Sequence, residues 1–142
     1  MLLIDDEPES FQLFCRALRR AKIPNPVFHA SGGEAALRYL DGCINGVERW
    51  PCAVFLDIRM PVLNGFDVLT WIRNREILNQ FVLVMMSSSS EPEDVSRAFT
   101  AGAHHYIAKD TGIDVVAKLI AEAMQFATFR ERSLPKISSP AV

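Results

Sequence analysis

Five short apolar runs, at residues 1–4, 27–30, 53–56, 81–86 and 105–108, alternate with segments of helical periodicity. No other feature of the chain constrains its fold as strongly. Several of these runs lack a two-residue alternation, the pattern of strands covered on both faces. Between them, Phe11, Phe14, Cys15 and Leu18 recur at helical spacing, as do Val95, Ala98, Phe99 and Gly102, and later Val116, Leu119, Ile120 and Ala123. Helix starts are signalled by the capping-box spacing of Ser31 with Glu34 and of Ser90 with Glu93, by Asn64 ahead of Asp67, and by Pro8 in a first turn. Right-handed crossovers between such strands give an α/β, doubly wound (βα)5 sandwich. Its functional crevice is expected at the carboxyl ends of the strands.

With 142 residues, 49% of them apolar and 23% charged, the chain has the composition of one globular domain. Residues 1–132 are read as that domain. Residues 133–142, with Pro135 and Pro140, are read as a flexible tail, with no output domain. Residues 42–51 form a long connection before the third strand. Fifteen Lys and Arg against 17 Asp and Glu give a formal charge of -2, scattered along the sequence, so direct DNA binding is not expected. The longest apolar run, 81–86, is too short to span a bilayer, and Asp5, Asp6 and Glu7 interrupt any secretory segment. A cytoplasmic protein without membrane attachment is the expectation. Cys15, Cys43 and Cys52 are odd in number and unrelated in spacing, which argues for reduced thiols rather than a disulfide or zinc site. His29, His104 and His105 are dispersed and read as core or surface histidines.

Asp5 and Asp6 end the first apolar run, Asp57 the third and Ser87 the fourth, and Lys109 follows the fifth. A lone Asp at such a place is ordinarily a solvated turn residue. Polar groups at four different strand ends instead converge on one crevice. Three carboxylates within roughly 4 to 6 Å of one another repel by several kcal/mol at an effective dielectric near 20, unless a cation intervenes. An all-oxygen set with room for water and phosphate oxygens favours Mg²⁺. A carboxylate can form an acyl phosphate when the donor is held in line and its charge is neutralised. For that chemistry Lys109 supplies a point charge and Ser87 a hydroxyl donor.

The segments L-L-I-D-D-E, F-L-D-I-R-M-P-V-L-N-G, V-M-M-S-S and Y-I-A-K stand in an order and separation that closely resemble the response-regulator receiver family, over about residues 1 to 130. The resemblance implies a flavodoxin-like sandwich with a parallel sheet in the order 2-1-3-4-5. It implies that Asp57 accepts a phosphoryl group from a sensor histidine kinase, with Lys109 and Ser87 assisting. Asp6 would bind Mg²⁺ directly and Asp5 largely through water, with Asp57 and the backbone carbonyl of Arg59 completing the protein ligands. Ser87 and Tyr106 would act as a coupled switch that signals to a downstream protein.

The run I-P-N-P-V and the long 42–51 connection further resemble stand-alone regulators of phytochrome-type kinases; a histidine phosphotransfer protein is another expected partner. Val115, Phe126 and Phe129 place apolar groups beyond the core-facing stripe of the last helix, where a homodimer contact is expected. Two departures stand out. Most relatives have a cis proline after the lysine, where this chain has Asp110. Arg59, two residues beyond the acceptor, is expected to pair near Glu7 or Ser89 and, with Ser89, to modulate phosphoryl lifetime. Arg59 also stands where a haloacid-dehalogenase-type phosphohydrolase has its second Asp, which disfavours turnover catalysis. The chain is expected to catalyse only its own phosphorylation and slow autodephosphorylation. A pseudo-receiver that binds partners without phosphorylation remains the alternative.

Overall fold

A computed structural model describes residues 1–88 and 91–133. Ser89 and Ser90, and the predicted tail beyond Ser133, lie outside the described residues. Five strands, β1 (Leu2–Ile4), β2 (Phe28–Ala30), β3 (Ala53–Asp57), β4 (Val82–Ser87) and β5 (His105–Ala108), pair in parallel in the order β2-β1-β3-β4-β5. Five helices follow them in turn: α1 (Pro8–Arg20), α2 (Gly33–Ile44), α3 (Gly65–Asn74), α4 (Pro92–Thr100) and α5 (Ile113–Ser133). This is the doubly wound sandwich that the alternating apolar runs predict.

The unalternated strand pattern has its cause in two cores, one on each face of the sheet. Leu2, Ile4, Val54, Leu56, Leu83 and Met85 point to the side covered by α2, α3 and α4, through residues such as Leu40, Leu69 and Ala98. Leu3, Ala53, Phe55, Val82, Val84 and Met86 point to the side covered by α1 and α5, through Phe14, Leu18, Val116 and Ile120. Adjacent strand residues face opposite cores, so both parities must be apolar. Because the strands are all parallel, their carboxyl ends share one edge, where the polar residues gather.

Some local expectations are corrected. Pro8 does open α1, and Asn64 with Asp67 forms a reciprocal capping box at 3.0 Å in each direction. The predicted Ser31–Glu34 box does not form, because α2 begins at Gly33 with Gly32 in the capping position, one residue past Ser31. Likewise α4 begins at Pro92 behind Glu91, with no side-chain cap, so the Ser90–Glu93 spacing is not its start signal. The 42–51 connection is shorter than predicted: burial of Cys43 one turn beyond Leu40 carries α2 through Gly42 to Ile44. On α4 only Ala98 is buried, and Phe99 remains 48% exposed.

Candidate functional site

Asp5 leaves β1, Asp57 closes β3 and Ser87 closes β4, and all three are buried. The register sets Asp57 opposite Met86, so Ser87 lies one residue further along the neighbouring strand. Lys109 follows β5 in a single 3-10 turn, Lys109–Thr111. Its peptide to Asp110 is trans. The ammonium nonetheless reaches inward, donating to Asp5 Oδ2 at 2.5 Å and to Ser10 Oγ at 3.2 Å, and lying 3.2 Å from Asp57 Oδ1. The departure from Pro to Asp110 therefore leaves the lysine in the crevice.

Asp5, Asp6 and Asp57 each offer a carboxylate oxygen within 4.8 Å of the others. Glu7 N–H donates to Asp5 Oδ1 at 2.9 Å, while Asp6 Oδ1 is buried without a hydrogen-bond partner among the described residues. A buried anionic oxygen left unsatisfied is costly, by about 1–3 kcal/mol or more. Three hard oxygen donors this close together are the donor set of a divalent cation of the Mg²⁺ or Ca²⁺ kind. The residues present thus fit the metal that the sequence leads one to expect.

Burial pushes the Asp57 carboxyl up to about 6; the Lys109 charge opposes this, Asp5 adds to it, and a backbone N–H of Arg59 also favours the anion. Burial alone would pull the Lys109 ammonium down, but Asp5 and Asp57 outweigh it and raise it overall. At neutral pH the crevice accordingly holds an ionised acid at the end of β3 against a firmly cationic lysine. The Tyr106 phenol is raised chiefly by partial burial, and its side chain hydrogen-bonds that of Ser87. The two predicted switch residues are therefore in contact.

Of the partners expected for Arg59, the structure favours the segment after Ser89 over Glu7. The Arg59 guanidinium donates to Asp94 Oδ2 on α4 at 3.0 Å rather than pairing with Glu7. This ion pair lines a cleft of about 470 Å³ between the β3–α3 loop and α4. Geometry explains the choice, since α4 brings an acid to the arginine side of the crevice. Ser89, the other predicted modulator, lies outside the described residues. Sequence reasoning also missed Ser10 and Asp94, which are ordinary helix residues without a motif of their own and gain their place only through tertiary packing.

The model of the response regulator receiver domain matches residues 1–121. The chain belongs to that family, whose members work in two-component signalling. It is 27% identical over 126 residues to a probable methanogenesis regulatory protein, FilR2, of Methanothrix harundinacea, covering 89% of this chain and 81% of that one. It is 32% identical over 139 residues to the transcriptional regulatory protein PrrA of Mycobacterium leprae, covering 98% of this chain but 53% of PrrA, so it spans about half that relative's length. Among solved structures, a response regulator in red light signaling of R. palustris superposes with a TM-score of 0.76 at 24% identity, covering 99% of this chain and 97% of that one. The bacteriophytochrome response regulator RtBRR superposes with a TM-score of 0.72 at 27% identity, covering 92% and 89%. Among the described residues no helix is long and apolar enough to cross a membrane.

Proposed function

We propose that the chain is a phosphorylation-activated response regulator in which Asp57 takes a phosphoryl group from a kinase phosphohistidine. An Asp57 carboxylate oxygen attacks phosphorus, the P–N bond breaks, and the imidazole nitrogen keeps the electron pair. The observation that carries this reading is Lys109, held between Asp5 and Asp57 at 2.5 and 3.2 Å, beside a buried acid that burial and Lys109 keep poised near neutrality. Asp5, Asp6 and Asp57, with the carbonyl of Arg59, would hold Mg²⁺. When bound, the cation supplies charge neutralisation for the phosphoryl oxygens. Lys109 and Ser87 meet the remaining oxygens, and Ser87, already bonded to Tyr106, transmits the new charge to that ring.

A phytochrome-type histidine kinase or a histidine phosphotransfer protein fits as the upstream partner, with a protein target downstream and a cytoplasmic location. The likeness to RtBRR supports the first of these. Val115, Phe126 and Phe129, 44%, 38% and 66% exposed along α5, support pairing of two subunits through that helix.

Mass spectrometry of the chain after incubation with acetyl phosphate and Mg²⁺ tests the acceptor. A single lasting phosphoryl group that is lost in Asp57→Asn is expected. An unmodified wild-type chain would establish a pseudo-receiver, and rapid multiple-turnover release of phosphate would establish a hydrolase. Arg59, tied to Asp94 at the rim of the site, would shield the acyl phosphate. Arg59→Ala is expected to speed dephosphorylation a few-fold in a pulse-labelling decay, and an unchanged decay rate would remove Arg59 from that role.

A further inference from the structure

The peptide between Asp5 and Asp6 links the two acids at the end of β1, and its oxygen is held by a side chain that the phosphoryl chemistry does not use. His29 of β2 brings Nε2 to 2.8 Å from the Asp5 carbonyl oxygen. A carbonyl oxygen only accepts, so Nε2 carries the proton and donates it. The imidazole lies flat on Phe11 of α1, with ring centroids 4.7 Å apart and planes 4° from parallel. The stack sets the plane of the ring and hence the direction of its N–H.

The ladder explains why a side chain is needed there. Asp5 N–H still donates to the Ala30 carbonyl at 3.1 Å, but β2 ends at Ala30 and the chain turns through Gly32 into α2. The imidazole meets the next acceptor along β1 at the point where the strand pairing stops. The rest of Asp5 is held as well, Oδ2 by Lys109 and Oδ1 by Glu7 N–H. A peptide group is planar, so fixing the Asp5 oxygen also fixes the Asp6 nitrogen and Cα. Asp6 is the residue whose buried Oδ1 awaits a partner.

We infer that His29 is a positioning residue for the divalent-cation site, orienting the Asp5–Asp6 peptide so that the Asp6 carboxylate faces Asp5 and Asp57 before any cation arrives. The inference rests on the reading of those three acids as a cation site. Without the imidazole donor the turn would have to be ordered at the moment of binding, which weakens affinity. Supporting groups behind metal ligands are typically worth about 10–100-fold in affinity.

The test is a calorimetric titration of Mg²⁺ into the unphosphorylated full chain and its His29→Phe and His29→Gln variants, with hydrogen exchange of the Glu7 amide, which donates to Asp5 Oδ1, followed in parallel. His29→Phe keeps a flat ring against Phe11 but has no donor; His29→Gln restores an N–H at similar reach without the ring. His29→Phe is expected to weaken Mg²⁺ affinity about tenfold and to speed exchange at Glu7, and His29→Gln to recover most of the affinity. His29→Leu repeats the donor-free arm if the phenyl ring prevents folding. Equal binding by wild type and the donor-free variants, or equal weakening in His29→Phe and His29→Gln, would overturn the positioning role while leaving the cation site in place. A wild-type chain that takes up no Mg²⁺ would overturn the site itself.

Discussion

Gly65→Ala is expected to destabilise the protein by about 3 kcal/mol, although alanine is normally the better helix former by roughly 0.5–1 kcal/mol. The added Cβ would meet the Asp57 carbonyl oxygen at 2.4 Å, the Ile58 Cα at 2.9 Å and the Asp57 carbonyl carbon at 3.0 Å. All three are backbone atoms, so no side chain can swing aside. Neither partner is free to retreat. β3 is fully buried and paired on both sides, by β1 and β4. The start of α3 is tied down by the Asn64–Asp67 capping box and by Gly65 N–H donating to Ile58 O at 2.9 Å.

Relief can come in only two ways. If α3 moves out, Phe66, Val68 and Leu69 lose packing in the core that also holds Leu56 and Met85. If the strand end rotates, the Asp57 carboxylate leaves its position beside Lys109. Urea denaturation of Gly65→Ala would read the first effect, and the rate of phosphoryl uptake from acetyl phosphate the second. A variant as stable as wild type, or more stable, would mean that the helix start yields at little cost and that the close approach is not required.

That contact also marks the limit of what the sequence discloses. The sheet was legible because the inner strands, short of their carboxyl ends, are covered on both faces and need apolar residues on both parities, so Ala53 to Leu56 and Leu83 to Met86 announce themselves. The acids and Lys109 were legible because they punctuate those runs. Helix starts were less so: Ser31 and Ser90 have the right chemistry and spacing, but which residue caps a helix depends on where the chain enters it, and Gly32 and Pro92 shift the entry by a residue or more. Of the predicted stripe, Val95, Ala98 and Phe99 lie on α4 while Gly102 falls in the turn beyond it, and only Ala98 is buried. Long-range polar pairings away from the strand ends were not legible. Arg59 finds Asp94 across 35 residues and His29 finds the Asp5 carbonyl across 24, and no local pattern encodes either meeting. The same holds for the trans Lys109–Asp110 peptide, whose lysine reaches the acids through the path of the 3-10 turn rather than through a residue preference.

In the absence of divalent cations, Asp57→Asn is expected to stabilise the protein above pH 7, by roughly 3 kcal/mol, and the gain should depend on pH. The wild-type carboxyl is raised from 3.8 to about 6 in the folded chain, chiefly by burial, with Asp5 adding to the effect and Lys109 offsetting only part of it. A shift of that size corresponds to roughly 3 kcal/mol at about 1.4 kcal/mol per pH unit. Its sign is opposite to that of a salt-bridged surface acid. Between pH 4 and pH 6 the folded state binds more protons at Asp57 than the unfolded state, so this group's contribution falls as pH rises through that interval and is lowest above it. Asparagine has no such titration. Melting curves in EDTA should therefore show the variant and wild type converging near pH 4 and separating towards pH 7, by on the order of 5–10 °C for a chain of this length. Adding Mg²⁺ at pH 7 should raise the wild type more than the variant, because a cation bound only by the folded state stabilises it by mass action and the variant has lost one of its three carboxylates. If the difference between the two proteins in EDTA were the same at pH 4 and pH 7, the charge on Asp57 would carry no folding penalty. Relief of that penalty would then have to be discarded as a reason for the crevice to favour a cation.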